Sequence, residues 1–106
     1  MELNLKGKKA IVTGSSRGLG AGIARVLARE GVDVLINYVS PGSEEKARKV
    51  SEALIKDHGV KSFTFQADVT REEEIAPLFD AAEKALDGPV TILVNNAGIC
   101  PHVNIV

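Results

Sequence analysis

Apolar residues fall into four short runs separated by longer amphipathic stretches. Ala10-Ile11-Val12 lies in the first, Val34-Leu35-Ile36 in the second and Val-Thr-Ile-Leu-Val at 90–94 forms the fourth. Runs this dense in apolar residues predict strands buried on both faces, over residues 8–13, 32–37 and 90–94. Residues 62–66 differ: Phe63, Phe65 and Ala67 alternate with Ser62, Thr64 and Gln66. That period of two predicts a third strand with one face less buried, at a sheet edge.

The stretches between the strands carry helical spacing. Over 18–30, Leu19, Ile23, Val26, Leu27 and Glu30 fall on one stripe, and Gly31 suits the C′ position. Ser40-Pro41-Gly42-Ser43 breaks the pattern after the second strand. Ser43 is expected as the N-cap of a second helix that turns Ala47, Val50 and Leu54 inward, runs to about residue 58 and is stopped by Gly59. A third helix is expected after Thr70, whose spacing to Glu73 is that of a capping box. Its apolar stripe is Ile75, Leu78, Phe79, Ala82 and Leu86; Pro77 should kink the first turns or delay the regular helix, and Gly88-Pro89 ends it. The order βαβαβαβ predicts an α/β fold. A parallel sheet would be covered by helices on both faces, with doubly wound strand order 3-2-1-4, as one unit over residues 1–106.

Composition narrows the partners. With 44% hydrophobic residues, 25% charged residues and net charge −1, the chain has the balance of a globular domain. It lacks the basic excess expected of a nucleic-acid binder. No apolar run approaches the roughly 18 residues of a membrane span. The N-terminus has no signal-peptide h-region, and Cys100 is the single cysteine, so a reducing, cytoplasmic setting is expected.

Three groups of residues carry chemistry. Thr13-Gly14-Ser15-Ser16-Arg17-Gly18-Leu19-Gly20 joins the first strand to the first helix. Glycines at such a corner let the backbone approach a pyrophosphate and aim the helix N-terminus at it. No Gly-Lys-Ser/Thr follows, so this is not a phosphate loop of that kind. At the end of the second strand, Asn37, Tyr38, Val39 and Ser40 stand where a carboxylate would hold a free ribose 2′-hydroxyl. Arg17, with Asn37, Tyr38 and Ser40, could instead hold a 2′-phosphate, which favours NADP over NAD. Asn95-Asn96-Ala97-Gly98 follows the fourth strand at the same carboxyl edge.

These groups resemble the motifs of short-chain dehydrogenases/reductases, especially the ketoacyl-carrier-protein reductase and glucose dehydrogenase type. The glycine turn matches TGxxxGxG, Asn95 to Gly98 match NNAG, and Asp68-Val69 match the Asp-Val pair after the third strand. The resemblance covers essentially the whole chain and implies a Rossmann unit of an NAD(P)-dependent oxidoreductase moving hydride between a nicotinamide cofactor and a carbonyl or alcohol. It implies that Gly14, Ser16, Arg17, Gly18 and Leu19 cradle the phosphates and adenosine ribose. Asp68 would bond the adenine amino group with Val69 beside it, and Asn95, Ala97 and Gly98 would line the ribose next to the nicotinamide; Asn96 would be scaffold.

The departures are equally informative. The family's catalytic Ser, its Tyr-xxx-Lys pair and its helix Asn have no counterparts here. The single tyrosine, Tyr38, is followed four positions later by Gly42, and Asn104 is too close to the fourth strand. A truncated, NADP-binding half that is inactive alone is therefore expected, the alternative being a non-catalytic nucleotide-binding or dimerising module. Cys100, His58 and His102 offer neither a nucleophile nor a metal set. With no fifth strand expected, Ile92, Leu93 and Val94 would lie on an open edge prone to self-association.

Overall fold

The computed structural model describes residues 5–16, 18–96 and 102–105. Four parallel strands, β1 (Lys9–Val12), β2 (Asp33–Tyr38), β3 (Ser62–Gln66) and β4 (Ile92–Asn95), are joined through helices α1 (Gly18–Arg29), α2 (Glu44–His58) and α3 (Ile75–Leu86). A fifth strand, β5 (His102–Ile105), completes a sheet of order β3-β2-β1-β4-β5. The expected 3-2-1-4 parallel arrangement is present, and the register pairs Ile11 with Leu35 on one side and Leu93 on the other.

Alternation along the strands builds two cores. Ala10, Val12, Val34, Ile36, Ile92 and Val94 face α1 and α2. Ile11 and Leu35 face Leu78, Ala82 and Leu86 of α3. Residues buried on both sides of one strand explain the continuous apolar runs. β3 is the edge strand, and its alternating sequence appears as partial burial, with Phe63 48% exposed.

The strand-4 edge is not open, contrary to the sequence expectation. β5 pairs antiparallel with β4, placing Leu93 opposite Asn104 and Val94 opposite Val103. An edge of unpaired N–H and C=O groups is satisfied by the next segment of the same chain.

Helix details also differ from the sequence pattern. The buried face of α1 is Gly20, Ala21, Ala24 and Ala28; Ile23 and Leu27 pack partly against the core. Leu19 and Val26, expected inward, are 62% and 50% exposed. Small side chains let the helix approach the sheet closely, and that outweighs the larger apolar residues on the neighbouring flank. Ser43 occupies the N-cap of α2 without making a cap bond; its hydroxyl lies 3.2 Å from that of Ser40, after a 3₁₀ turn at Pro41–Ser43. Thr70 makes no capping box with Glu73. Its N–H and hydroxyl donate to Asp68 Oδ1 at 3.0 and 2.6 Å, a local turn that competes successfully with the cap. Glu72–Glu74 form a 3₁₀ turn and regular α3 starts at Ile75, which puts Pro77 in the first turn, where a missing N–H costs nothing. α3 ends on Asp87 in the left-handed region, just before Gly88-Pro89.

Candidate functional site

Parallel strands place all four strand ends on one edge of the sheet, and every sequence-predicted site residue among those described lies there. At neighbour spacings of about 4.8 Å, the ends of β3 and β4 stand about 14 Å apart, with β2 and β1 between them.

The glycine turn leaves β1 at Thr13. Thr13 N–H donates to Val94 O at 3.0 Å, and its hydroxyl accepts from the Asn96 N–H at 2.8 Å. Gly14 donates to Asn37 Oδ1 at 3.2 Å. Ser15 bridges the strands: its hydroxyl donates to Val12 O at 2.6 Å and accepts from Asn37 N–H at 3.0 Å. Ser16 is buried in the turn. Gly18 follows with φ +61°, and a Cβ there would meet nothing within 4 Å. That open space fronts the first turn of α1. Gly20 is the opposite case. A Cβ on it would lie 2.4 Å from Gly14 O and 2.5 Å from Asn96 Nδ2, so close helix–turn contact requires glycine.

The helix N-termini at this edge are not equivalent. α2 begins with Glu44 and Glu45, and α3 is preceded by Glu72, Glu73 and Glu74. The first turn of α1 has no acidic residue. Its partial positive charge is therefore left available to an outside anion. Leu19, exposed beside it, offers an apolar surface.

Asn37 is fully buried, and its amide is spent on backbone. Nδ2 donates to Phe65 O at 3.2 Å and Ala67 O at 3.1 Å, while Oδ1 holds Gly14. The structure thus puts Asn37 beneath the turn, with its side-chain amide engaged by the backbone of three residues. Tyr38 is 8% exposed; burial, reinforced by the Glu44 carboxylate, raises its phenol above the ordinary tyrosine range, so it enters any contact as a neutral O–H. Ser40 is exposed at the turn before α2.

At the end of β3, the hydroxyl and N–H of Thr70 hold the Asp68 carboxyl below the usual carboxylate range. Asp68 N–H donates to Glu74 Oε1 at 2.9 Å, which fixes the turn. Val69 lines a cavity of about 140 Å³ with Ile75, Leu78, Phe79, Leu93, Thr13 and Asn95. Asn95 Oδ1 lies 3.4 Å from the Thr13 hydroxyl. Asn96 Nδ2 donates to Gly14 O at 3.3 Å, so Asn96 ties two loops together, as the scaffold reading has it. Arg17, Ala97 and Gly98 lie outside the described residues.

Sequence reasoning missed the supports of the turn: the hydroxyls of Thr13 and Ser15 and the buried amide of Asn37. The available signal was polar residues inside otherwise apolar strand ends, which must find partners. Among the described residues no His, Cys, Asp and Glu cluster could hold a metal, and no helix is long and apolar enough to cross a membrane.

A family model described as short chain dehydrogenase matches residues 8–105. An NADPH-dependent aldehyde reductase-like protein of Arabidopsis thaliana is 42% identical over 103 residues, covering 92% of this chain and 38% of its own length. The 3beta-hydroxysteroid dehydrogenase 1 of Eggerthella lenta is 49% identical over 96 residues, covering 91% and 35%. This chain therefore spans little more than a third of those relatives. Among solved structures, a blue fluorescent protein from a metagenomic library in complex with NADPH superposes with TM-score 0.82 at 42% identity, over 92% of this chain and 38% of that one. A short chain dehydrogenase from Burkholderia cenocepacia in complex with NADP gives 0.80 at 41%, with the same coverage.

Proposed function

We propose, from the premise that this chain belongs to the short chain dehydrogenase family, that it is an NADP(H)-binding unit, one Rossmann half over residues 1–106, which holds the cofactor but does not turn it over alone. The observation that carries this reading is the first turn of α1. It is acid-free and faces the open space that a Cβ on Gly18 would fill. The residues present fit a pyrophosphate: backbone N–H groups and a helix end supply the charge, and the absence of side chains at Gly14 and Gly18 supplies the room.

Each strand end then has a part. Ser16, Gly18 and Leu19 border the phosphates and adenosine ribose. Arg17, with Tyr38 and Ser40 near the end of β2, reads the 2′-phosphate, and the absence of a carboxylate at Asn37 removes repulsion. Asp68, kept ionised by Thr70, accepts from an adenine amino group beside Val69. Asn95, Ala97 and Gly98 line the second ribose. NADP(H) supplies the hydride when bound. The proton relay of the family, a Tyr-xxx-Lys pair with a Ser, has no counterpart among these 106 residues, and on that ground the unit is proposed to bind the cofactor without turning it over alone. A cytoplasmic setting, argued from Cys100 as the single cysteine, belongs to the same proposal.

The test is a fluorescence titration with NADPH and NADH, run with a turnover assay on a panel of ketones. Saturable NADPH binding without turnover is expected. Arg17→Ala should weaken NADPH about 10- to 100-fold, the worth of a charge-assisted bond, and leave NADH nearly unchanged. Equal loss for both cofactors would contradict the 2′-phosphate assignment, and robust turnover would contradict the division of labour.

A further inference from the structure

We infer that β3 is an interaction edge for a second copy of this chain, pairing antiparallel with its own counterpart about a two-fold axis at Thr64. Lys61 O accepts from Val34 N–H at 3.1 Å and Ala67 N–H donates to Tyr38 O at 3.0 Å. Residues 61, 63, 65 and 67 therefore turn their backbone groups to β2, and Ser62, Thr64 and Gln66 turn theirs outward. This outer edge lies at the end of the sheet, with no further strand on it among the described residues.

The usual protections of an edge strand are missing. Ser62-Phe63-Thr64-Phe65-Gln66 contains no charge and no proline. β4, by contrast, has β5 along its edge.

The sequence is also self-complementary about its centre. With Thr64 opposite Thr64, Ser62 meets Gln66 in hydrogen-bonded pairs, and Phe63 meets Phe65 in the closer non-hydrogen-bonded pairs. Two such aromatic pairs arise per dimer, on the α3 face. Phe63 is 48% exposed beside an open apolar cavity of about 340 Å³ formed with Ala81, Ala85 and Lys84. Charge agrees with the antiparallel sense. Lys61 precedes the strand, with its ammonium 3.8 Å from Asp87 Oδ2 on the α3 side, and Asp68 follows it, so antiparallel pairing sets the basic end of one strand against the acidic end of the other. Parallel pairing would set like charges together.

The experiment is sedimentation velocity on the whole chain over roughly a hundredfold range of concentration, so that mass action reveals self-association. Thr64→Pro removes an outward N–H and leaves the β2 ladder intact, which edge strands tolerate. Phe63→Lys puts a charge on the half-exposed aromatic position. A concentration-dependent dimer is expected for the parent chain, with the dissociation constant at least tenfold weaker in both variants. If circular dichroism shows Thr64→Pro unfolded, Phe63→Lys decides alone. A parent chain monomeric throughout overturns the inference. So does a dimer that survives the folded variants unchanged, which would place the contact at β5 or on a helix. The glycine turn sits two strands in from this edge, but the proposed adenine contact at Asp68 follows β3 itself, so sedimentation of the folded variants, not NADPH titration, decides the inference.

Discussion

Gly20→Ala tests the close contact on which the turn depends. The added Cβ would lie 2.4 Å from Gly14 O, 2.5 Å from Asn96 Nδ2 and 2.9 Å from the Cα of Ser15. Two of these are backbone atoms, so moving a side chain aside cannot relieve the overlap. Overpacking of this kind costs about 1–3 kcal/mol. Displacing Asn96 also loses its bond to Gly14 O, worth about 1 kcal/mol. Alanine's better helix propensity returns about 1 kcal/mol. The net expectation is destabilisation by about 2 kcal/mol, or a fall in melting temperature of about 10 °C in a domain of this size.

Gly22→Ala is the internal control. It lies two residues further along α1, and its Cβ would meet nothing within 4 Å. Only the propensity gain operates there, so a stabilisation of about 1 kcal/mol is expected. Urea denaturation read by circular dichroism measures both, provided the slopes match that of the parent. Opposite signs for two Gly→Ala changes on one helix are the prediction. A Gly20→Ala protein as stable as the parent, or more so, would show that the turn and helix are not held at the observed distance.

Other expectations follow from the same contacts. Gly18→Ala forces φ +61° on a residue with a Cβ and puts that atom into the open space before α1; stability should fall by only about 1–2 kcal/mol, while NADPH affinity by fluorescence titration falls by an order of magnitude or more. Asn37→Ala leaves Gly14 N–H and the carbonyls of Phe65 and Ala67 without their partner in a buried site, so unfolding by urea should show a loss of about 2–4 kcal/mol. The Asp68 carboxyl, held below its usual range by Thr70, contributes stability above the unfolded pKa of about 3.9 that is lost as pH falls through its folded value. Thr70→Val should bring its NMR titration midpoint back up toward that figure; an unmoved midpoint would show that Thr70 is not the cause.

What the sequence revealed depended on how local the cause was. β1 and β2 were legible because burial on both faces leaves continuous apolar runs; β4 carries such a run too, although Leu93 on its second face is only partly buried. β3 was legible as an edge because Phe63 and Phe65 alternate with polar residues. The inward face of α1 was not, because apolar residues surround much of that helix and the choice between Leu19 and Ala21 is made by how near the sheet lies. The Thr70–Glu73 spacing suggested a cap that Asp68 takes away by binding Thr70 itself. β5 escaped notice because four residues carry too little pattern to announce a strand that turns back on β4.

Asn37 shows the deeper reason why site residues are harder to read than elements. An amide at the end of β2 suits a ligand contact or a buried brace equally well, and only the positions of Gly14, Phe65 and Ala67 decide between them. Those positions make the glycine turn an extension of the sheet: β2 holds it through Asn37 and Ser15, and β4 holds it through Asn96 and Thr13. The N–H groups of Thr13, Gly14 and Ser15 are spent on these braces, which set the start of α1 in place without waiting for a ligand to order it and so lower the entropic cost of binding. The same design couples the two properties. Loosening either brace is expected to weaken the fold and the proposed cofactor site together, whereas a Cβ at Gly18 meets nothing within 4 Å and is expected to act more on that site than on the fold.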